Sequence, residues 1–134
     1  MFSVVKFWLS FGTKAGKETR DYIIPLWISI KIDALPLLLK ISPDENYKTI
    51  ENIVCLAKEL GFSGVIATNT SAERLHSRTF ESFESGGLSG EPLEVKSNNM
   101  IKFISKVTDH EFPIVGVGGI GSTDSAIRKL DSGA

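Results

Sequence analysis

The chain has 134 residues, of which 42% are hydrophobic and 23% charged, and its formal net charge is -1 at pH 7. This length permits one domain with a real core, and the near balance of charges excludes a polyanion-binding face as its main feature. The single cysteine, Cys55, excludes an internal disulfide framework, and His76 and His110 stand alone, without metal-ligand spacing, so no metal site is predicted.

The first 34 residues lack a regular pattern. Residues 1–12 are apolar, but they carry Lys6 and lack a small-residue cleavage pattern, which argues against a signal peptide. Residues 22–30 are too few for a membrane-spanning helix and are soon followed by Lys31. We interpret residues 1–34 as a partly helical segment whose apolar faces complete a core.

From residue 35 onward, strands and helices are predicted to alternate. Residues 35–42 are a continuous apolar run, typical of a strand covered on both faces. Asn46 is the expected N-cap of a helix, and Gly61 occupies the position of a left-handed C-cap. The apolar residues of this helix recur at helical spacing: Ile50, Ile53, Val54, Ala57 and Leu60. Residues 64–68 are predicted to form a second buried strand.

A long polar loop is predicted over residues 69–96. The next helix is predicted to be capped near Ser97 and to turn four residues inward: Met100, Ile101, Ile104 and Val107. Residues 113–117 form the third predicted strand. The last helix opens at Ser122 or Thr123, ends near Gly133 and carries three apolar residues: Ala126, Ile127 and Leu130.

A glycine cluster joins the third strand to the last helix: Gly116, Gly118, Gly119 and Gly121. Glycines let a backbone approach a phosphate, and the first N–H groups of the helix are expected to point at it without partners of their own. The spacing does not match the dinucleotide-binding pattern well. A phosphate site and a plain tight turn both remain open on this evidence.

Alternating units of this size predict an α/β fold with a parallel sheet, either doubly wound or closed into a barrel. Polar residues cluster at the carboxyl ends of the strands, as Lys40, then Thr68 and Asn69, then the glycines after Val117. The longest loop also leaves from one of these ends. Both details favour the barrel, because barrel enzymes keep their active sites there.

Three features at these strand ends indicate chemistry. Lys40 ends a run of leucines, so it either extends to water or holds an anionic cofactor or intermediate. Residues 68–70, Thr-Asn-Thr, either turn the chain or bind a small polar ring through their donors and acceptors. Residues 86–90, Gly-Gly-Leu-Ser-Gly, indicate backbone lying close to something flat or bulky.

Four segments, in this order, resemble the dihydroorotate dehydrogenases: residues 39–44 (LKISPD), 64–70 (GVIATNT), 86–93 (GGLSGEPL) and 114–120 (IVGVGGI). Arg74 after the Thr-Asn-Thr segment, together with the Gly-Leu-Ser-Gly-x-Pro-Leu pattern, resembles the quinone-linked, membrane-associated class. The resemblance covers about residues 35–134 and sets a domain division at residue 35. It implies about strands five to seven, with their helices, of a (β/α)₈ TIM barrel.

The resemblance further implies FMN as cofactor and oxidation of dihydroorotate to orotate in pyrimidine (UMP) biosynthesis, with a quinone as acceptor. Lys40 would then contact the flavin ring and stabilise negative charge on its reduced form, and Thr68 would contact FMN. Gly90 and Gly119 would let the backbone meet the cofactor, Gly119 near its phosphate. Asn69 and Thr70 would bind the carboxylated pyrimidine.

We expect this chain to lack the family's first barrel half, which supplies a serine base, so no catalytic residue is predicted here. We also expect it to lack the membrane-docking helices and to be cytoplasmic, with no nucleic-acid partner. We expect the isolated chain to be marginal, self-associating or dependent on a complementary barrel fragment. Two alternatives are a truncated, non-catalytic remnant with at most weak flavin affinity and another phosphate-binding barrel enzyme.

Overall fold

The computed structural model describes residues 6–7, 36–73 and 86–134. Within these ranges the strands are β1 (Lys6–Phe7), β2 (Leu38–Ile41), β3 (Gly64–Ala67) and β4 (Ile114–Gly116). The helices are α1 (Tyr47–Glu59), α2 (Glu94–Val107) and α3 (Thr123–Asp131), and a 3-10 turn, Glu91–Leu93, leads into α2. The predicted alternation is confirmed, whereas the short strand β1 lies in the segment for which no strand was predicted.

The four strands form one parallel sheet in the order β1-β2-β3-β4. Neighbours in the sheet are therefore also neighbours along the chain. A doubly wound sheet reverses its strand order at a switch point, whereas a barrel does not. The order seen among the described strands is the one that a barrel requires.

The hydrophobic core lies between the sheet and the helices. On β2, burial alternates, so that Leu39 and Ile41 are buried against the helices. Helices α1 and α2 contribute most of the apolar residues predicted from their spacing: Ile50, Ile53, Val54 and Ala57 of α1 and Met100, Ile101 and Ile104 of α2. Leu60 and Val107, predicted on the same grounds, are only half-buried. Because side chains alternate between the two faces of a strand, Lys40 faces away from this core.

Helix α1 begins and ends as predicted. The side chain of Asn46 accepts a hydrogen bond from the backbone N–H of Thr49 at 2.9 Å, which makes Asn46 the N-cap. Gly61 follows the helix with φ +78°, a left-handed conformation that favours glycine.

The predicted cap at Ser97 is wrong. Helix α2 begins three residues earlier, at Glu94, and Leu93 precedes it without a side-chain cap. Pro92 lies at the start of the preceding 3-10 turn, where its restricted φ suits helical backbone. The predicted loop therefore ends near Gly90, and Ser97 is fully buried in the first turn of α2.

Helix α3 buries polar side chains and exposes apolar ones. Its N-cap is Ser122, as predicted. Ser125 and Lys129 are buried, whereas Ile127 is 50% exposed and Leu130 is 64% exposed. The apolar residues that mark this helix in the sequence therefore do not form its contact with the sheet.

Several predictions fall outside the described residues. Arg74 and His76 lie there, as does almost all of residues 1–34, so the domain division at residue 35 stays a prediction. In the parts of the chain that the structure describes, no helix is long and apolar enough to cross a membrane. The cytoplasmic location likewise stays a prediction.

Candidate functional site at the carboxyl ends of the strands

Lys40 lies in a row of side chains on the sheet face opposite the helices. Its register partner on β3 is Ile66, which in turn aligns with Val115 on β4. Lys40 is half-buried, Ile66 is 7% exposed and Val115 is 45% exposed. The row thus sets one cation beside two apolar side chains on the face that forms the interior of a barrel.

The end of β3 is held by both neighbouring strands. The backbone N–H of Thr68 donates to the Val117 oxygen at 3.1 Å, and that of Asn69 donates to the Ile41 oxygen at 2.8 Å. Thr68 is 2% exposed, and its hydroxyl donates to the Asn69 carbonyl at 3.0 Å. Asn69 is half-buried and Thr70 is exposed. Residues 68–69 therefore continue the sheet, and the turn begins only after them.

The glycine-rich segment, residues 86–90, lies against the segment that follows β3. Ser71 and Leu88 exchange backbone hydrogen bonds of 3.0 and 2.7 Å. A side chain at Gly87 would overlap the hydroxyl of Thr70, so this glycine is needed for contact within the protein. Gly90 has φ +76°, and the space beside it is open up to Pro92 Cδ, at 4.0 Å from an ideal Cβ.

The turn after β4 needs glycine for two reasons. Gly118 and Gly119 have φ +107° and +74°, which other residues rarely adopt. A side chain at Gly119 would also overlap the backbone and Cβ of Glu94, at the start of α2. The turn is therefore packed tightly against the amino end of α2, and this packing alone explains a glycine at position 119.

The amino end of α3 has partners for several of its N–H groups. The hydroxyl of Ser125 accepts from the backbone N–H of Gly121 at 3.0 Å and from that of Ser122 at 2.9 Å. The N–H of Ser125 donates to the Ser122 hydroxyl at 3.2 Å, which completes a capping box. The expectation that the first N–H groups of this helix lack partners is wrong for Ser122 and Ser125.

A paired acidic side chain flanks the glycine turn. Glu94 lies beside Gly119, and its carboxylate accepts from Arg128 Nε at 2.7 Å and Nη2 at 3.2 Å. The Arg128 hydrogen bonds hold the pKa of Glu94 below its ordinary value. Glu94 thus stays ionised, and the Arg128 guanidinium offsets its negative charge next to the turn.

A charged cluster that the sequence analysis did not identify joins the ends of β2 and β3 to α2. Asp44 Oδ1 accepts from the Ser71 hydroxyl and from Lys96 Nζ, both at 2.5 Å, and Asp44 Oδ2 accepts from the Ala72 N–H at 2.6 Å. Lys96 Nζ also pairs with Glu73 Oε2 at 2.5 Å. Asp44 belongs to the 39–44 motif, which was the one available signal.

The protonation of this cluster follows from its contacts. Burial raises the pKa of Asp44, but the hydrogen bonds from Lys96, Ser71 and Ala72 outweigh burial and hold that pKa below 3.8. Burial lowers the pKa of Lys96, yet its carboxylate partners raise it above 10.5. Both groups are therefore charged at neutral pH.

A second unexpected group lies beneath the glycine turn. Lys129 is 2% exposed, and its Nζ donates to the Ser97 hydroxyl at 3.0 Å. The Ser97 hydroxyl donates in turn to the Val117 carbonyl at 2.6 Å. This chain of hydrogen bonds joins α3 and α2 to the residue just before Gly118. Its sequence signal is weak: Lys129 lies four residues after Ser125 on the polar side of α3.

Comparison with known proteins identifies related sequences over most of the chain. Residues 13–134 match the family model of dihydroorotate dehydrogenase, so the match begins upstream of residue 35, where the sequence resemblance was placed. A dihydroorotate dehydrogenase (quinone) of Christiangramia forsetii is 43% identical over 74% of this chain and 29% of its own length. One of Natronomonas pharaonis is 42% identical over 87% of this chain and 33% of its own length.

Solved structures agree with these sequence matches. The structure of DHODH from Eimeria tenella in complex with ferulenol has a TM-score of 0.70 and 35% identity, covering 75% of this chain and 27% of that one. The ligand-free form from the same organism matches equally well. The chain thus spans 27–33% of the length of these relatives, and its fold is that of part of a (β/α)₈ barrel, as predicted.

Proposed function

This chain belongs to the dihydroorotate dehydrogenase family, and we propose that it forms the part of a quinone-linked enzyme that holds FMN and the pyrimidine. The proposed reaction oxidises dihydroorotate to orotate in UMP biosynthesis, with a quinone as final acceptor. One observation carries the proposal: Lys40 and residues 68–69 lie at the carboxyl ends of adjacent parallel strands. Barrel enzymes place their reacting groups at this end.

The row of Lys40, Ile66 and Val115 suits a flat, electron-accepting ring. FMN, when bound, supplies the acceptor for the electrons removed from dihydroorotate. Lys40 would hold a positive charge against the ring, and its apolar neighbours would keep water away. A cation acts more strongly in such surroundings, because a low local dielectric screens it less.

Of the residues after β3, Thr68 would contact FMN, and Asn69 and Thr70 would bind orotate. The Thr68 hydroxyl donates its proton to the Asn69 carbonyl. Thr68 would therefore contact FMN as a hydrogen-bond acceptor. The carboxamide of Asn69 both donates and accepts, and the hydroxyl of Thr70 does the same. This combination suits the carboxylate and the ring amides of orotate.

The two proposed cofactor glycines differ in what supports them. Gly90 has the open side that close approach of a cofactor requires. Gly119 owes its lack of a side chain to Glu94, so its proposed place near the phosphate rests on the family resemblance alone.

A binding titration with the whole chain tests the proposal. FMN fluorescence is followed during addition of protein, with and without orotate. We expect Lys40→Met to weaken FMN binding about tenfold or more, as expected for loss of a charge-assisted contact. Lys48→Met, which removes a lysine that is 75% exposed and paired with Glu51 on α1, should leave the affinity unchanged.

Complementation tests the catalytic role. The chain is mixed with the amino-terminal part of the Christiangramia forsetii relative, and dihydroorotate oxidation is measured with a soluble quinone. Turnover that requires both parts would support the proposal. Absence of turnover, together with absence of FMN and orotate binding, would reject it in favour of a non-catalytic remnant.

A further inference from the structure

Both carboxylate oxygens of Asp44 accept hydrogen bonds from the segment that follows β3. Oδ1 accepts from the Ser71 hydroxyl at 2.5 Å, and Oδ2 accepts from the Ala72 backbone N–H at 2.6 Å. These two residues directly follow Asn69 and Thr70. A contact at Ser71 and Ala72 therefore restrains the path of the backbone that carries the proposed pyrimidine contacts.

Lys96 ties this carboxylate to helix α2. Its Nζ lies 2.5 Å from Asp44 Oδ1 and 2.5 Å from Glu73 Oε2, so it pairs both with the carboxylate that binds Ala72 and with that of the residue after Ala72. Helix α2 is anchored in the core by Met100, Ile101 and Ile104. The segment after β3 is therefore held by a helix that is fixed in the core, and not by another loop.

The burial of this ion pair distinguishes it from an ordinary surface pair. The side chains of Lys96 and Asp44 are 31% and 20% exposed. Those of Lys48 and Glu51, an ion pair within α1, are 75% and 40% exposed. Exposed pairs contribute little to stability, whereas partly buried pairs with additional hydrogen bonds fix geometry more strongly.

We propose that Asp44 and Lys96 form a clamp that positions residues 69–72 for ligand binding, with Asp44 as the positioning residue. The part of this inference that concerns the pyrimidine rests on the proposed function. Asp44 does not touch the ligand in this proposal. It acts through Ser71 and Ala72, and Lys96 keeps it in place.

Amide hydrogen exchange in the full chain tests the clamp without any ligand. In Asp44→Asn and Lys96→Met we expect the protection of the Ala72 amide to fall about tenfold or more, because local opening becomes easier. The amide of Val54, in the middle of α1, should change less than about twofold. Lys96→Arg should restore most of the protection, since a guanidinium can pair with both carboxylates.

A pH titration shows directly whether the Asp44 carboxylate holds the Ala72 amide. The groups that contact Asp44 are Lys96 from α2 and Ser71 and Ala72 from the segment after β3, and Glu73 reaches this cluster through Lys96. The Ala72 amide shift should follow a carboxyl titration with a midpoint below 3.8 in the wild type. In Asp44→Asn this transition should be absent, and in the control Lys48→Met it should persist.

Orotate binding then tests the functional consequence. Asp44→Asn and Lys96→Met should bind orotate about tenfold more weakly than the wild type, and Lys96→Arg should recover most of the affinity. Unchanged Ala72 protection in both Asp44→Asn and Lys96→Met would overturn the clamp. Lost protection with unchanged orotate affinity would overturn its role in binding. If the wild type binds no orotate, the proposed function fails, and the exchange data alone decide whether the clamp positions the segment.

Discussion

Replacing Lys129 with methionine should stabilise the protein at neutral pH. The side chain is 2% exposed, and its acceptor among the described residues is the Ser97 hydroxyl, at 3.0 Å. Its stem occupies the space that a side chain at Gly116 would fill, with Lys129 Cγ 2.6 Å from an ideal Cβ there. Methionine is unbranched and of similar length, so it can keep this packing while removing the charge.

The expected magnitude follows from two opposing contributions. Burying an ammonium group costs several kcal/mol, and a hydrogen bond from a charged donor returns about 1.5–3 kcal/mol. Ser97 still donates to the Val117 carbonyl after the substitution, so no buried donor is left without an acceptor. We expect Lys129→Met to raise the free energy of unfolding by about 1–2 kcal/mol at pH 7.

The pH dependence separates this explanation from a simple gain in packing. Burial lowers the pKa of Lys129 below 10.5, and the carboxylate of Glu94 opposes this shift. The unfolded chain then binds the proton more tightly than the folded protein, so wild-type stability rises with pH between the folded-state pKa and 10.5. Methionine has no such dependence, and the advantage of Lys129→Met should shrink as the pH rises through this range.

Urea unfolding followed by circular dichroism at pH 7 and at pH 10 measures both effects. Lys106→Met, at an exposed position on α2, serves as the matched control and should change stability by less than about 0.5 kcal/mol. A loss of more than about 1 kcal/mol in Lys129→Met at pH 7 would contradict a net cost of burying the ammonium group. A difference from the wild type that is the same at both pH values would also contradict it.

Three further outcomes are expected from urea unfolding. Gly119→Ala should lower the free energy of unfolding by about 3 kcal/mol, because the cost of left-handed backbone and the cost of overlap with Glu94 add together. Gly61→Ala, with φ +78° and open space, should lower it by only about 1 kcal/mol. Equal losses would contradict the overlap with Glu94. Asn46→Ala should lose about 1 kcal/mol with the N-cap of α1, and an unchanged midpoint would exclude a stabilising cap. Asp44 stabilises the fold above pH 3.8, and this contribution is lost as the pH falls through its lower folded-state pKa. In Asp44→Asn, the free energy of unfolding should therefore fall less steeply with decreasing pH in the acid range. A fall as steep as in the wild type would contradict this assignment.

The sequence was informative where local physics determines structure. Helix α1 follows directly from its apolar spacing, its asparagine cap and the glycine after it, and all three signals agree in the structure. The three longer strands lie within the predicted apolar runs. Each of these signals is carried by residues close together in the chain, so no tertiary knowledge was needed.

Tertiary contacts decided what the sequence could not. Ser97 resembles an N-cap, but its hydroxyl bonds to Val117 and Lys129, which lie 20 and 32 residues away. Asp44 and Lys96 are 52 residues apart. Periodicity and cap patterns contain no information on such pairs. The same limit applies to Ser125, whose hydroxyl satisfies donors that were expected to be available to an anion.

The first turn of α2 contacts residues that follow β2, β3 and β4. Glu94 contacts Gly119 and Arg128 after β4, and Lys96 holds Asp44 after β2 and Glu73 after β3. The Ser97 hydroxyl donates to the Val117 carbonyl, just after β4. Polar residues in the first turn of α2 thus bond to residues that follow all three strands, so the start of α2 helps to fix the geometry of the proposed site.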